Sequence, residues 1–242
     1  MNGKHLRNIA VLILGLFLLT ACGINYVQGS GNVITEERDV SGFDSIDMSG
    51  FGEVFITQGD TESLTIETDD NLMQYIESVV RSNTLYLEFE DNTIPDPSGK
   101  ITFRLNVIDL EALDLSGAGS FIIESLGTPS LAITFSGAGD IDLDSLMADR
   151  VSTRVSGAGD ISLAGEVDAQ DIHIEGVGKY SAPGLKSNQA TVQIEGAGNV
   201  VIWVIDELDL TIKGAGNVDY YGNPTVTQNI EGGGKINSLG AK

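Results

Sequence analysis

Two aspartates and two asparagines stand at the same place in a short repeated phrase of the chain. Asp140 and Asp160 each follow Gly-Ala-Gly, and Asn199 and Asn217 follow it in later copies. If the copies stack, the two carboxylates lie about 4.8 Å apart, where like charges repel and raise a pKa unless a cation intervenes. Their oxygens could contribute to a Ca²⁺ site, because that ion takes several oxygen ligands. The four residues are therefore candidate binding residues of a polar face.

Two simpler interpretations of these residues stay open. Asn199 above Asn217 could form an amide ladder, which is a purely structural device in stacked coils. The whole face could equally be a plain solvated surface, since charged side chains on a solenoid also serve solubility.

The phrase that positions these side chains, Gly-x-Gly followed by a polar residue, occurs nine times. Apart from one gap, successive copies lie 18 to 21 residues apart, and a period in that range is typical of a solenoid of stacked coils. Apolar residues alternate with polar ones on both sides of each copy, which is the pattern of strands with one buried face. The first glycines of the copies are Gly29, Gly50, Gly117, Gly137, Gly157, Gly176, Gly196, Gly214 and Gly232.

The alternation places both glycines of a copy on the inward side and the residue between them outward. Glycine inside a strand marks a bend or a close approach of another backbone. We therefore predict an all-β fold, a parallel β-helix with coils of 18–21 residues, in which the glycines form columns of corners. No segment after residue 22 keeps a long 3.6-residue period, so residues 70–76 could hold at most one helical turn.

The gap between the second and third copies spans 67 residues, which is close to three ordinary periods. Alternating segments within it predict strands, with a hairpin-like turn at Ser82-Asn83 and a loop from Pro95 to Gly99. We favour one continuous body over residues 29–242, and a separate small β-domain of residues 57–108 is the alternative.

The N-terminal segment, residues 1–21, predicts a lipoprotein signal peptide. A positively charged start precedes an apolar run from Ile9 to Leu19, which is too short to span a bilayer. The run ends in Leu-Thr-Ala-Cys, which resembles the bacterial lipobox. We therefore expect cleavage between Ala21 and Cys22, acylation of Cys22, and a tether formed by residues 22–28. An ordinary signal peptide with an incidental cysteine is the alternative.

The lipid anchor would make this a protein attached to a membrane rather than one that spans it. Cys22 is the only cysteine of the chain, so it cannot close an internal disulfide, and acylation explains an unpaired thiol in an exported protein. The next residue is Gly23 rather than Asp, which by resemblance to enterobacterial sorting favours the outer membrane and leaves the leaflet open.

The charge of the chain excludes one class of partner. The chain carries 13 basic and 35 acidic residues, a net charge of −22. Removing the signal leaves 11 basic residues against all 35 acidic ones, a net charge of −24. Such a surface argues against nucleic acid, whose binding depends on Lys and Arg, and against lying flat on anionic lipid headgroups.

Few residues of the mature chain could carry catalysis. His173 is its only histidine, so no nucleophilic triad or zinc site can be assembled, and we expect His173 to be an exposed strand residue. The enzymatic alternative is a β-helical polysaccharide lyase or glycosidase, whose two carboxylates would lie about 5–9.5 Å apart. Candidates by abundance are Asp140, Asp142, Asp160, Glu175 and Glu195. The short coils leave no long loops to wall a cleft, and the suggestive aromatic residues for sugar stacking are Trp203, Tyr220 and Tyr221.

Several segments together resemble a bacterial family. They are Cys22-Gly-Ile-Asn, Gly29-Ser-Gly-Asn-Val, Val40-Ser-Gly-Phe-Asp-Ser-Ile-Asp and the serial Ser-Gly-Ala-Gly-Asp copies. The family is the head GIN domain, or putative auto-transporter adhesin, and the resemblance covers nearly all of the mature chain. It implies an exported, often lipid-anchored, β-helical protein, and it brings no catalytic residues.

Three functions are compatible with the sequence. The first is a non-catalytic, adhesin-like envelope lipoprotein that binds a glycan, a matrix component or another envelope protein. The second is the β-helical carbohydrate-active enzyme, and the third is a structural or stress-related envelope component. The expected partners are therefore the membrane, through the lipid, and a glycan or envelope protein, while the oligomeric state stays open.

Overall fold

The computed structural model describes residues 25–242, which form strands and one 3₁₀ helix, Met73–Tyr75. The strands of the first half are β1 (Asn25–Gln28), β2 (Val33–Arg38), β3 (Ser45–Met48), β4 (Phe51–Gln58), β5 (Ser63–Asp69), β6 (Ile76–Arg81), β7 (Thr84–Phe89), β8 (Thr93–Asp96), β9 (Thr102–Val107) and β10 (Ala112–Leu115). Those of the second half are β11 (Ala118–Ile123), β12 (Leu126–Gly127), β13 (Ser130–Phe135), β14 (Ala138–Val155), β15 (Ala158–Ile174), β16 (Lys179–Ile194), β17 (Asn199–Ile212), β18 (Asn217–Tyr221), β19 (Thr225–Ile230) and β20 (Lys235–Gly240).

Parallel stacking of coils builds most of the body. The strands β14, β15, β16 and β17 are 14 to 18 residues long, and each pairs in parallel with the next. The stacked strands make a β-solenoid of about six turns. The predicted parallel β-helix is therefore confirmed, and the short 3₁₀ helix lies inside the segment that was expected to hold one helical turn at most.

Inward-facing apolar side chains stack into columns along the axis of the solenoid. On the strands before the glycine corners, paired positions give the buried column Met48, Leu115, Phe135, Val155, Ile174, Ile194 and Ile212. On the strands after the corners they give Val54, Phe121, Ile141, Ile161, Tyr180, Val200 and Val218. Each fully buried side chain of this size stabilises the fold by about 1.5–3 kcal/mol, so the columns hold the coils together.

The glycines form columns too, as predicted. A Cβ atom added to Gly137 would lie within 3.0 Å of backbone atoms of Gly117, and one added to Gly157 would meet Gly137 in the same way. The second glycines of the copies repeat this relation, because Gly159 faces Gly139. Glycine recurs at the corner because the backbone of one coil lies directly against that of the next, which leaves no room for a side chain.

The layers do not follow the order of the sequence at the N-terminal end. Strands β3 and β4 pair on one side with β10 and β11 and on the other side with β7 and β9. Strands β3 and β4 therefore form the second layer of the stack. The later strands β7 and β9 form the terminal layer beneath them, and β10 and β11 form the third layer. Four strands of residues 57–108, which are β5, β6, β7 and β9, belong to the same sheet and the same hydrophobic core as the coils.

Antiparallel strands close this end of the stack. Strand β5 lies antiparallel to β2 and to β9, and β6 lies antiparallel to β7. They cover strand edges that would otherwise be free to pair with other chains. The predicted turn at Ser82-Asn83 joins β6 to β7, with positive φ angles of 50° and 64°, as a two-residue hairpin turn requires.

Two expectations near the N-terminus are wrong in detail. The loop predicted from Pro95 to Gly99 begins two residues later, because Pro95 lies within β8. Within residues 25–242, strand β8 pairs only with β1, and an edge strand tolerates proline because one side of its backbone needs no donor. Residues 25–28, which were expected to belong to the tether, form β1.

The first copy of the repeat, at Gly29, does not join the glycine columns. An added Cβ at Gly29 would meet the carboxylate of Asp69 and the backbone nitrogen of Ser98. Asp69 is 1% exposed and accepts hydrogen bonds from Gly31 N at 2.7 Å, Ser98 N at 2.8 Å and Ser98 Oγ at 2.6 Å. This glycine therefore makes room for a buried carboxylate that joins the β1–β2 turn to the loop before β9.

The last coil is the most open part of the solenoid. Most residues of β19 and β20 are exposed, although their coil still stacks on the glycine corners through Gly232 and Gly234. The polar final copy of the repeat thus forms the terminal coil. Within residues 25–242 no helix is both long and apolar enough to cross a membrane.

Candidate functional site

The residues that follow the glycine corners form one column across the stacked coils. Their strands pair in register, so each residue lies directly beside its counterpart in the next coil. We name it the corner column, and it consists of Glu53, Ser120, Asp140, Asp160, Lys179, Asn199, Asn217 and Lys235. The predicted stacking of the four candidate residues, two and two, is confirmed.

The aspartate pair is exposed and is held by a backbone contact. The amide nitrogen of Asp160 donates to Oδ1 of Asp140 at 3.3 Å. The neighbouring Asp142 lies on the same face, and its pKa is raised, first by partial burial and then by the charges of Asp140, Asp144 and Asp160. Four carboxylates thus crowd one patch. Among residues 25–242, however, no group of three or more His, Cys, Asp or Glu side chains is arranged to hold a metal ion.

The crowding of carboxylates gives a testable expectation for Asp142. Because its folded-state pKa is raised, the ionised form destabilises the fold above that pKa, and the effect disappears below the unfolded value of about 3.9. Asp142→Asn should therefore raise the free energy of unfolding at pH 7 by less than about 1 kcal/mol, since the site is exposed and screened. Urea unfolding at low and high salt measures this, because salt should reduce the gain.

Asp60→Asn is the matched control for that measurement. Asp60 is an exposed carboxylate in the turn between β4 and β5, far along the chain from the patch. A gain of equal size in Asp60→Asn, or a gain in Asp142→Asn that persists at pH 3, would contradict the repulsion between the carboxylates.

Amide side chains occupy the later part of the corner column. Asn217 Nδ2 donates to Asn199 Oδ1 at 3.0 Å, which is the amide ladder that the sequence left open. A parallel contact lies beside it, where Asn237 Nδ2 donates to Asp219 Oδ1 at 2.8 Å. These side chains satisfy one another along the axis and keep their remaining polar atoms exposed to solvent.

A second set of exposed polar residues precedes the glycine corners. Its members are Ser116, Ser136, Ser156, Glu175, Glu195, Lys213 and Glu231. Lys213 Nζ lies 3.1 Å from Glu195 Oε1, and Glu175 Oε1 lies 3.0 Å from Arg154 Nη1. His173 Nε2 also lies 3.1 Å from Glu175, and its side chain is 25% exposed. His173 faces outward as expected, although its neighbours cover more of it than we predicted.

Sequence and structure comparisons identify the kind of domain that carries these columns. The family model described as "Putative auto-transporter adhesin, head GIN domain" matches residues 42–224, which is most of the chain. The chain belongs to this family. No protein among the curated sequences matches it.

Solved structures share the fold of this GIN domain. A protein of Bacteroides fragilis, described as a putative adhesin, is 27% identical with a TM-score of 0.85, and the match covers 88% of this chain and 100% of that one. A Parabacteroides distasonis protein, described as a putative lipid binding protein, is 22% identical with a TM-score of 0.74, covering 89% and 100%. A putative adhesin from Parabacteroides merdae is 21% identical with a TM-score of 0.70, covering 89% and 99%. The last two likenesses establish the fold alone.

The carboxylates of the enzymatic alternative fall into two groups on this GIN domain. Asp140, Asp142 and Asp160 lie together after the glycine corners. Glu175 and Glu195 precede the corners, and each lies within ion-pairing distance of a basic side chain. The predicted stacking of Asp140 on Asp160 is confirmed, Asp142 lies beside this pair, and the two glutamates belong to a different column.

The three candidate aromatic residues of the GIN domain also fall into two groups, one inward-facing and one outward-facing. Tyr220 packs against the hydrophobic core, whereas Trp203 and Tyr221 occupy paired outward positions on β17 and β18. Lys242 contacts both rings, and nothing in the local sequence indicates this contact. Ala21 and Cys22, the predicted cleavage and lipid attachment residues, lie outside the described residues.

Proposed function

We propose that this GIN domain is a lipid-anchored cell-envelope protein whose non-catalytic solenoid binds a glycan or another envelope protein, as an adhesin does. The observation that carries the proposal is the corner column, which presents polar side chains in register from coil to coil. A ligand with a regular repeat, such as a polysaccharide, or an extended protein segment can meet such a column at several coils at once.

The proposed anchor is Cys22, in the outer membrane. The lipobox-like Leu-Thr-Ala-Cys supports it, and Gly23 supports outer-membrane sorting. Asn25 already belongs to β1, so only Gly23 and Ile24 lie between it and Cys22, and the link is three residue steps long. A chain of that length reaches at most about 11 Å, which would hold the first layer of the solenoid close to the membrane and direct its other coils away from it.

Substitution of the cysteine tests the anchor. We expect Cys22→Ser to lose palmitate labelling and to move from the membrane fraction to the soluble fraction, because the acyl chains supply the membrane affinity. Ser30→Ala, a change in the turn after β1, should keep the label and the membrane location. Palmitate that persists in Cys22→Ser would contradict the assignment.

Paired substitutions test the binding face. The full-length protein, extracted from membranes, is applied to immobilised envelope polysaccharides and to outer-membrane proteins. Asp140→Ala combined with Asp160→Ala, and Asn199→Ala combined with Asn217→Ala, should each weaken the binding. The matched control combines Asp149→Ala with Asp168→Ala, two exposed aspartates of the same adjacent strands outside the corner column.

The same samples distinguish an adhesin from an enzyme. A binding protein leaves the polysaccharide chains intact, so no new reducing ends or unsaturated ends should form over hours. Turnover that disappears in Asp140→Ala or Asp160→Ala would replace the proposal with the carbohydrate-active enzyme. Equal binding by the corner-column variants and the control pair would remove the column as the binding face.

A further inference from the structure

The GIN domain already holds an ammonium group against two aromatic rings. Trp203 and Tyr221 are paired neighbours on β17 and β18, and both side chains remain partly exposed. Lys242 Nζ lies 4.8 Å from the centre of the Trp203 ring and 5.4 Å from the centre of the Tyr221 ring. Both distances fall within the roughly 6 Å at which a cation is attracted by the face of an aromatic ring.

A backbone carbonyl completes the contact. Lys242 Nζ also donates to the carbonyl oxygen of Pro183. The pairing of β16 with β17 shifts between Ala182 and Lys186, and Pro183 has no pairing partner on β15 either. Its carbonyl oxygen is therefore left out of both ladders and can accept from a bound cation.

Buried contacts fix the backbone beneath the tryptophan. The carbonyl oxygen of Trp203 accepts a hydrogen bond from Ser187 Oγ at 3.1 Å. Ser187 Oγ accepts from Gln170 Nε2 at 2.9 Å, and Gln170 Oε1 accepts from the hydroxyl of Tyr180 at 2.9 Å. Tyr180, Gln170 and Ser187 are fully buried, so the ring is attached to a rigid part of the core.

The glycine that follows Tyr221 fixes the backbone beside this ring. Gly222 has a φ of 102°, a conformation that favours glycine. A Cβ added there would meet the carbonyl oxygen of Val204. The two rings are therefore presented by backbone that cannot easily move, and such preorganisation lowers the entropy lost on binding.

We infer that Trp203, Tyr221 and the Pro183 carbonyl form a binding site for the lysine side chain of a partner protein, and that Lys242 occupies this site within the same chain. The ammonium group of a partner's lysine would meet the two ring faces and the carbonyl, as the ammonium group of Lys242 does. The net charge of −22 draws cationic partners toward the protein. The site gives the proposed binding function a second surface with its own chemistry, and it does not depend on the corner column or the lipid.

Lys242 competes with any external lysine. A tethered group acts at an effective concentration in the millimolar range, so it masks a site of similar affinity until a partner presents several lysines at once. Two ring contacts of this kind correspond to a Kd on the order of 10 mM for a single lysine. Removing Lys242 should therefore strengthen the apparent binding of a lysine probe by about twofold, because a tethered lysine whose effective concentration is close to its Kd occupies about half of the sites.

The fluorescence of the chain reports on this site directly, because Trp203 is its only tryptophan. The full-length protein is titrated with Nα-acetyl-lysine methylamide while the Trp203 emission is followed. We expect a saturable change that is about twofold tighter in Lys242→Ala than in the wild type. Lys213→Ala removes an exposed lysine outside the corner column, 3.1 Å from Glu195 Oε1, that does not contact either ring, and it should titrate like the wild type.

A second probe and two variants of Tyr221 test whether the ammonium group itself is recognised. The Nα,Nε-diacetyl probe keeps the stem and lacks the charge, so it should give no saturable change, and Tyr221→Phe should bind while Tyr221→Leu should not. Equal responses to the charged and acetylated probes, or equal titrations of Lys213→Ala and Lys242→Ala, would overturn the inference. Tighter binding of glucosamine than of the lysine probe would also overturn it, in favour of an amino sugar. None of these results bears on Cys22 or on the corner-column variants, so the two proposals fail separately.

Discussion

Replacing Gly137 with alanine is expected to lower the free energy of unfolding by about 3 kcal/mol. The added Cβ would lie 2.9 Å from the carbonyl carbon of Gly117 and closer still to its oxygen. These are backbone atoms of the coil beneath, so no side chain can rotate away and the ladder itself must shift. Gly137 does not have a positive φ, so the effect is steric rather than conformational.

Gly127→Ala supplies the matched control in the same part of the solenoid. A Cβ at Gly127 would have Gln58 Oε1 as its nearest neighbour, at an ordinary contact distance of 3.8 Å. The stability should then change by less than about 0.5 kcal/mol. Urea unfolding followed by circular dichroism compares the two variants. Equal losses, or a stable Gly137→Ala, would mean that the corner columns do not require glycine.

The stacked register could be predicted from the sequence because equal spacing and equal parity leave one arrangement. Asp140 and Asp160, or Asn199 and Asn217, occupy the same position in copies one coil apart, and parallel pairing then places them side by side. The glycines indicate the corners for the same reason. A local pattern suffices wherever the structure repeats.

The non-repeating parts escaped prediction because their determinants are distant in sequence. The alternation of apolar residues in β5 or β7 is the same for parallel and antiparallel pairing, so it could not reveal that β7 and β9 lie beneath β3 and β4. The copy at Gly29 has the spacing of a repeat, but its partner is the carboxylate of Asp69.

The lysine site could not be predicted from the sequence either, because its residues are far apart along the chain. Its residues belong to different coils and meet on one surface. Pro183 lies in a bulge of one coil, Trp203 and Tyr221 belong to the next two coils, and Lys242 comes from a still later part of the sequence. No period links them. Trp203 and Tyr221 stand out in the sequence as aromatic residues, whereas nothing in the sequence indicated that Lys242 contacts their rings.

Ion pairs between neighbouring coils follow the same period as the glycines. Arg150 pairs with Asp171, Arg154 with Glu175, Lys186 with Glu166 and Lys213 with Glu195, each across 18 to 21 residues. Exposed pairs of this kind contribute about 0–1 kcal/mol each. Their basic side chains are thus engaged within the solenoid, which leaves the acidic surplus exposed to solvent and makes an approaching cationic partner favourable.

Substitution of Asp69 is expected to destabilise the N-terminal layer by about 2 kcal/mol or more at pH 7. In Asp69→Asn the shape is kept, but the amide presents donor hydrogens where the carboxylate accepted from Gly31 and Ser98. Buried donors left without an acceptor lose their hydration without replacement. Because this carboxyl joins the β1–β2 turn to the loop before β9, the loss should appear in urea unfolding and as faster proteolysis near residue 30.

The pH dependence of that loss has a definite sign. Hydrogen bonds from Ser98, and then from Gly31, lower the pKa of Asp69 below its ordinary value. A lowered folded-state pKa gives a contribution to stability that is complete above the unfolded value of about 3.9 and disappears as the pH falls through the folded value. Wild type and Asp69→Asn should therefore differ at pH 7 and converge in acid, while the exposed control Asp60→Asn should follow the wild type throughout. A difference that stayed constant down to pH 2 would show that the ionised form of this carboxyl group does not hold the first layer in place.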